Sequence, residues 1–190
     1  MSYLNTRVLA AVSALSLSLA AVTGVSVVQA STVTVGGAAM YSQKNIIQNA
    51  VNSKDHTTLV AAVKAAGLVD TLSGPGPFTV FAPTNAAFDK LPAGTVGTLV
   101  QPENKATLTK ILTYHVVAGH LTSADLKAKI KEGGGKAVLT TVEGGMLTVT
   151  EPGGHLMLTD EKGGMSDITI PNVLQSNGVI HVVDTVLMPN

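Results

Sequence analysis

The chain has 190 residues, a formal net charge of zero from 12 basic and 12 acidic residues, and no cysteine. The lack of cysteine excludes disulfides and thiol chemistry. Arg7 is the single arginine and the sequence shows no cluster of basic residues. This composition argues against nucleic-acid binding and against electrostatic docking on anionic lipid.

The N-terminal 30 residues have the features of a secretory signal peptide. Arg7 is the only basic residue before Lys44, residues 8–28 are apolar or small, and Ala30 is a small residue at the position that a signal peptidase reads. We therefore predict a signal peptide over residues 1–30, a secreted or periplasmic protein, and no membrane attachment after cleavage. An uncleaved anchor is the alternative, since a run of about 20 apolar residues can span a bilayer.

Cleavage would leave 160 of the 190 residues, with 11 lysines, 12 acidic residues and a formal charge of −1. That length fits one domain, which would bury about 70% of its extended surface and needs no disulfide. Residues 31–39 are small and contain glycine, so we predict a flexible N-terminal lead over residues 31–41. The folded domain is then expected over residues 42–190.

Apolar residues recur at helical spacing in the first half of this domain. Residues 42–51 predict one helix, and a second is expected to begin near Asp55 and to end at Gly67. Pro102 favours the start of a further helix, because a proline at the first helical position sacrifices no hydrogen bond. Thr122 and Asp125 resemble a capping box and predict the start of another.

An aromatic segment joins a strand to a helix. Large apolar side chains alternate with small or turn-forming ones from Phe78 through Thr84, and Phe78, Val80 and Ala82 share one face, which predicts a strand. Pro83 ends it because proline has no N–H to donate. Thr84 can then cap a short helix that carries Phe88 on its apolar face.

The second half of the chain has the pattern of a β-meander. Short β-prone runs at residues 137–142, 146–151, 155–159 and 167–170 alternate with paired glycines, which suit tight hairpins. Residues 178–188 are rich in valine and isoleucine on both faces, so we predict a central, buried strand. Helices first and strands later, with one early strand joining the late ones, predict an α+β fold.

Three ordered segments resemble the motifs of the fasciclin domain family. Residues 78–88 resemble its first signature, residues 111–119 its tyrosine–histidine motif, and residues 176–184 its second signature. The resemblance implies a β-wedge with helices packed along it, and a non-catalytic module for cell adhesion or extracellular matrix interaction. The implied partner is an unknown protein or polysaccharide at a cell surface or matrix. The positions that carry the two signatures are Phe78, Phe81, Pro83, Thr84, Phe88, Asn177, Gly178 and His181.

Tyr114 and His115 are the first candidates for binding residues. In adhesion members of the family the equivalent pair has been linked to cell binding. Helical spacing, however, places His115 on the apolar face of its helix, so a hydrogen-bonded pair in the core is the other interpretation. The same interpretation applies to His181, which lies within a valine- and isoleucine-rich strand.

Residues 170–174 occupy the place where some animal matrix relatives carry the integrin-recognition sequence Glu-Pro-Asp-Ile-Met. Here Ile170 and Asn172 replace its two carboxylates. Integrin metal sites bind a carboxylate, so we do not expect that mode of adhesion. Asn172 and the nearby pair of Asp167 and Ile168 remain candidate binding residues.

No segment has the spacing of a catalytic motif. Residues 133–136 do not form a phosphate loop, and residues 164–168 lack the second glycine of a nucleophile elbow. We therefore predict no enzymatic activity, no cofactor and no metal site. Asp160 and Glu161 lie in a glycine-flanked turn and are predicted to be a solvated pair of charges.

Methionines are frequent in the strand-rich half, at positions 146, 157, 165 and 188. Filling of the core is one interpretation of them, and an apolar groove between helices and sheet is the other. Some fasciclin-like relatives bind carotenoids or other hydrophobic ligands. The alternative function is therefore that of a carrier of an apolar small molecule, such as a carotenoid or a lipid.

Overall fold

The computed structural model describes residues 32–190, which form nine strands, seven α-helices and three short 3-10 helices. The predicted signal peptide lies outside the described residues. The strands are β1 Val33–Val35, β2 Ala38–Met40, β3 Phe78–Pro83, β4 Val116–Ala118, β5 Lys136–Thr140, β6 Met146–Thr150, β7 Met157–Thr159, β8 Met165–Gln175 and β9 Gly178–Val183. The helices are α1 Ile46–Ala50, α2 Thr57–Ala66, α3 Val69–Ser73, α4 Asn85–Asp89, α5 Thr95–Leu99, α6 Lys105–Tyr114 and α7 Ser123–Glu132.

Strands β3 to β9 form one curled sheet in the order β4-β3-β9-β8-β7-β6-β5. The β3–β9 pair is parallel and the other pairs are antiparallel. The two ends of the sheet meet, because the Val142 N–H donates to the Val116 carbonyl at 2.7 Å and Val117 bridges to Thr141. The helices and the sheet confirm the predicted α+β class.

Two apolar cores lie on opposite faces of β3 and β9. The first lies under helices α1, α2, α3, α4 and α6, and the second fills the inside of the curl beneath α7. Alternation along β3 sends Val80 and Ala82 into the first core and Phe81 into the second. All six residues of β9 are buried, as predicted for a central strand.

Three predicted helix ends agree with the structure, at the end of α2 and at the starts of α4 and α7. Helix α2 ends at Gly67, whose φ of 74° is the left-handed conformation that glycine adopts freely. The Thr84 hydroxyl accepts from the Ala87 N–H at 3.2 Å and caps α4. Thr122 and Asp125 form the capping box of α7, in which the Thr122 N–H donates to the Asp125 carboxylate at 2.8 Å.

The predictions for the N-terminal lead and for the end of the last strand need correction. The segment 31–41, predicted to be a flexible lead, contains the hairpin β1–β2 over its described residues, and Val35 and Met40 are buried in the first core. The last strand ends at Val183, whereas the prediction continued it to residue 188. Beyond Val183 the Asp184 side chain turns to bind the backbone of β8, which ends the ladder.

Candidate functional site

The tyrosine–histidine pair lies at the end of α6, inside the protein. Tyr114 is fully buried and His115 is 2% exposed. His115 Nδ1 lies 2.8 Å from the Ile111 carbonyl, and the Leu187 N–H donates to His115 Nε2 at 3.0 Å. These partners require a neutral ring with the proton on Nδ1. Burial lowers the pKa of His115 to about 4, against smaller opposing contributions from the Ile111 carbonyl and Asp160.

The Tyr114 hydroxyl joins two turns of the meander. It donates to the Met146 carbonyl at 2.6 Å and accepts from the Glu161 N–H at 3.2 Å. Gly145 packs against the Tyr114 ring, where a Cβ would approach ring carbon Cε2 to 2.8 Å. Burial raises the pKa of Tyr114 to about 12, so the phenol stays protonated.

Asp160 lies in the neighbouring turn and corrects the prediction of a solvated pair of charges. The residue is buried, and its carboxylate accepts backbone N–H groups from Lys162 at 3.0 Å, Gly164 at 2.7 Å and Met188 at 2.9 Å. Hydrogen bonds of this kind stabilise a buried carboxylate. Asp160 therefore fastens the C-terminal segment to the turn between β7 and β8.

A second buried histidine lies against the first signature. The rings of Phe81 and His181 stack with centroids 5.7 Å apart. His181 Nε2 lies 2.8 Å from the Leu121 carbonyl, and the Asn172 N–H donates to His181 Nδ1 at 3.4 Å. Both ring nitrogens are thus occupied within the protein, and burial lowers the pKa of His181.

Strand β8 carries three candidate binding residues, of which two make contacts within the fold and one is exposed. Asn172 adopts a φ of 59°, which asparagine tolerates, at a shift of register in β8. Its side chain accepts from the Ser123 N–H and donates to the Ser123 hydroxyl, both at 2.7 Å. Ile168 packs against the second core, whereas Asp167 is exposed. Of the five candidate binding residues, Asp167 alone presents its side chain openly to solvent.

The structure places Tyr114 and His115 in the core and not on a surface open to a partner. Both side chains are inaccessible, and their polar atoms are held by backbone groups of the protein itself. The interpretation as a hydrogen-bonded core pair agrees with this geometry. Asn172 and Ile168 likewise serve packing in the described fold.

Asn177 and Gly178 of the second signature hold the first core to the sheet. The Asn177 side chain accepts from the Ile46 N–H at 3.0 Å and donates to the carbonyls of Leu72 at 2.8 Å and Gly74 at 2.9 Å. Gly178 lies against Phe78, and a Cβ on it would lie 2.0 Å from the Phe78 carbonyl oxygen. These two positions join α1, α3 and β3 at one point.

The outer face of β5–β8 is an accessible surface that sequence reasoning did not identify. Strand register places Val138, Thr148, Thr159 and Met165 opposite one another in a single row. Val138 is 55% exposed, Met146 58% and Met165 60%. Core filling, one interpretation of the methionines, is therefore wrong for Met146 and Met165. The outer face comprises Lys136, Val138, Thr140, Met146, Thr148, Thr150, Met157, Thr159, Met165 and Asp167.

An apolar cavity of about 50 Å³ lies in the first core, between helices α1 to α3 and strands β3 and β9. Aliphatic side chains form most of its wall, together with Ser53 and His56. Among residues 32–190, His, Asp and Glu side chains form no group of three that could hold a metal ion. Over the same residues, each helix is too short or too polar to cross a membrane.

Comparison with known proteins agrees with this arrangement. The sequence model of the Fasciclin domain matches residues 54–189. The chain belongs to the fasciclin domain family. The protein sll1483 of Synechocystis sp. is 45% identical over 156 residues, a match that covers 82% of this chain and 79% of that protein.

Two further relatives extend the comparison. The cell surface glycolipoprotein MPB83 of Mycobacterium bovis is 35% identical over 159 residues, which cover 81% of this chain and 64% of that protein. A FAS1 domain pair from the insect cell adhesion molecule fasciclin I superposes with a TM-score of 0.68 at 21% identity. That match covers 76% of this chain and 51% of the pair, and it shows the fold.

The buried histidines of this fasciclin domain make its stability dependent on pH. We expect the free energy of unfolding to fall between pH 6.5 and about 4, by up to about 3 kcal/mol from His115. The unfolded chain takes up a proton on His115 near its usual pKa of 6.5, whereas the folded protein resists protonation until about 4. Burial also lowers the pKa of His181 and His56, so both act in the same direction.

Urea unfolding at pH 7 and pH 4.5 measures this loss. His115→Gln should flatten the dependence, since one of the histidines that charge only on unfolding is removed. His120→Gln, at an exposed position, is the matched control for the loss of a histidine. If His115→Gln and the unsubstituted chain lost the same free energy of unfolding between pH 7 and pH 4.5, His115 would not be a buried neutral group.

Proposed function

We propose that this fasciclin domain is a non-catalytic, exported module that binds a protein at a cell surface or matrix through the outer face of β5–β8. Fasciclin domains are in general non-catalytic surface modules. The proposal is carried by one observation: the tyrosine–histidine motif is buried, whereas the outer face of β5–β8 is exposed. Polar groups of the motif are occupied inside the core, while the outer face leaves Val138, Met146 and Met165 largely uncovered.

The chemistry of the outer face favours a protein over a polysaccharide. Protein interfaces are enriched in methionine and depleted in charge, and this face carries Met146, Met157 and Met165 with a single lysine and a single aspartate. It has no aromatic ring on which a sugar could stack. Its threonine hydroxyls can hydrogen-bond to a partner without the cost of desolvating a charge.

Export is supported by the N-terminal sequence and by one relative. The apolar run before Ala30 is typical of a signal peptide. The Mycobacterium bovis relative is a cell surface glycolipoprotein. A secreted or periplasmic location follows as part of the proposal.

Charge placed on the outer face tests the binding surface. The double variant Met146→Lys with Met165→Lys is expected to weaken attachment of the purified domain to cells of its source organism by at least about 10-fold, because two ammonium groups would have to be desolvated in the interface. Val51→Lys is the matched control, since Val51 is 50% exposed and lies on the helical side. Attachment is measured by surface binding at fixed temperature.

Treating the cells with protease separates the two partner classes. Loss of attachment after protease supports a protein partner. Equal binding to purified envelope polysaccharide and to untreated cells would replace the protein by a polysaccharide. Undiminished attachment of the double variant would contradict the assignment of this face.

A second candidate function, carriage of an apolar small molecule such as a carotenoid or lipid, is supported by the cavity in the first core. An apolar space of about 50 Å³ that is open on one side can take a ring or the end of a chain. A native mass above that of the polypeptide, in protein purified from its own source, would support this function. A colourless protein at the polypeptide mass that takes up no apolar compound would contradict it.

A further inference from the structure

We propose that His56 anchors the polar end of an apolar ligand in the cavity of the first core, an inference that rests on the second candidate function. The ligand class is a small ring or chain terminus that carries one hydroxyl or carbonyl oxygen. This assigns a binding position to a residue that lies outside the three family motifs.

The wall of the cavity favours an apolar occupant. Most of the wall is formed by aliphatic side chains, among them Leu59, Val63, Val80, Leu112, Ile180 and Val182. Empty cavities of this composition stay dry and accept apolar molecules, because water finds too few polar partners in them. The volume of about 50 Å³ is several times what one water needs.

His56 lines the cavity and has one buried ring atom without a hydrogen-bond partner. Its ring is 3% exposed, and His56 Nδ1 lies 2.8 Å from the Ser53 hydroxyl. His56 Nε2 has no hydrogen-bond partner, the one such buried side-chain atom among residues 32–190. Buried polar atoms in folded proteins nearly always have a partner. The Ala82 carbonyl lies nearby but outside hydrogen-bond geometry.

The protonation state and tautomer of the His56 ring determine which polar group of a ligand can bind to Nε2. Burial lowers the pKa of His56, against smaller opposing contributions from the Ala82 carbonyl and Asp55, so the ring is neutral. If the Ser53 hydroxyl donates to Nδ1, Nε2 carries the proton and can donate to a carbonyl or hydroxyl oxygen. If the hydroxyl accepts instead, Nε2 can accept from a hydroxyl. A hydroxyl suits both tautomers.

One side of the cavity reaches the surface. Ile47 and Val60 are only partly covered and Lys64 is exposed, and all three line the space between α1 and α2. A ligand longer than the cavity can leave along this side while its polar end stays at His56. The alkyl stem of Lys64 can cover such a chain.

Phenol and toluene form a matched pair of probes, because they differ only in a hydroxyl that replaces a methyl group. In the unsubstituted chain we expect phenol to bind about 10-fold more tightly than toluene, as one buried hydrogen bond allows. His56→Phe should remove this preference by weakening phenol, with toluene changed less than about 3-fold. His155→Phe, at an exposed histidine, should alter neither. Binding is followed through methyl resonances of the cavity wall.

A measurement on the unsubstituted chain keeps the test valid if His56→Phe does not fold. The ¹⁵N resonance of His56 Nε2 should shift on addition of phenol and stay in place with toluene. Equal binding of both probes without a shift of His56 would overturn the anchor and leave the carrier function standing. No binding of either probe would overturn both.

Discussion

Gly178→Ala is expected to cost more than about 4 kcal/mol of folding free energy, enough to leave little folded protein. The added Cβ would lie 2.0 Å from the Phe78 carbonyl oxygen and 2.9 Å from its carbon. Neither strand can move away easily, because β3 is held between β4 and β9 and every residue of β9 is buried. Circular dichroism of the purified variant and urea unfolding measure the loss.

Gly97→Ala is the control for this substitution. Gly97 lies in α5 and a Cβ there would meet no atom within 4 Å. Alanine in a helix is more favourable than glycine, so this variant should gain up to about 1 kcal/mol. A loss below 1 kcal/mol for Gly178→Ala would show that β3 and β9 are not packed as closely as described.

His115→Ala is expected to destabilise the domain by about 4 kcal/mol, because it opens a cavity and leaves two buried backbone groups without partners. Those groups are the Ile111 carbonyl and the Leu187 N–H. Tyr114→Phe should cost about 1–2 kcal/mol, since only the hydroxyl that bonds to Met146 and Glu161 is lost. Thermal and urea unfolding measure both.

Stability and binding together separate a core role from a contact role. A core role predicts a lower melting temperature for both variants and unchanged attachment of the protein that remains folded. His120→Ala, at an exposed position five residues further on, should leave stability within about 0.5 kcal/mol. Lost attachment with unchanged melting for Tyr114→Phe would mean that the motif touches the partner after all.

Much of the architecture follows from local sequence signals. Pro83 and Thr84 mark the change from strand to helix, because one cannot pair and the other caps. The Thr122 capping box starts α7, and paired glycines separate the strands of the meander. Each of these signals acts within a few residues, so it can be recognised without knowledge of the fold.

Other features depend on contacts between distant segments. The β1–β2 hairpin has strands of only three residues each, and its order comes from burial of Val35 and Met40 in the first core. Asp160 belongs to the interior because the Met188 N–H reaches it from the end of the chain. Composition alone predicts a flexible segment where the β1–β2 hairpin forms, and it predicts a solvated charge at Asp160.

In the candidate sites, too, some features follow from local sequence and others depend on contacts between distant segments. The helical spacing of His115 predicts an apolar surrounding, but its partner at Leu187 is 72 residues away. Asn172 lies in β8 beside α7, and strand pairing alone does not predict its contact with Ser123. The outer face of β5–β8 depends on the register of four strands, and the unpartnered atom of His56 depends on the first core around it.

The claim that the tyrosine–histidine motif is internal can be tested without knowing the partner. A titration of the His115 ring, followed by ¹⁵N and ¹H resonances in the folded domain, measures its pKa directly. Enclosure in the core predicts a neutral ring with the proton on Nδ1, and a pKa of about 4. A midpoint near 6.5 in a protein that stays folded would place His115 in contact with solvent and would contradict a recognition surface confined to the outer face.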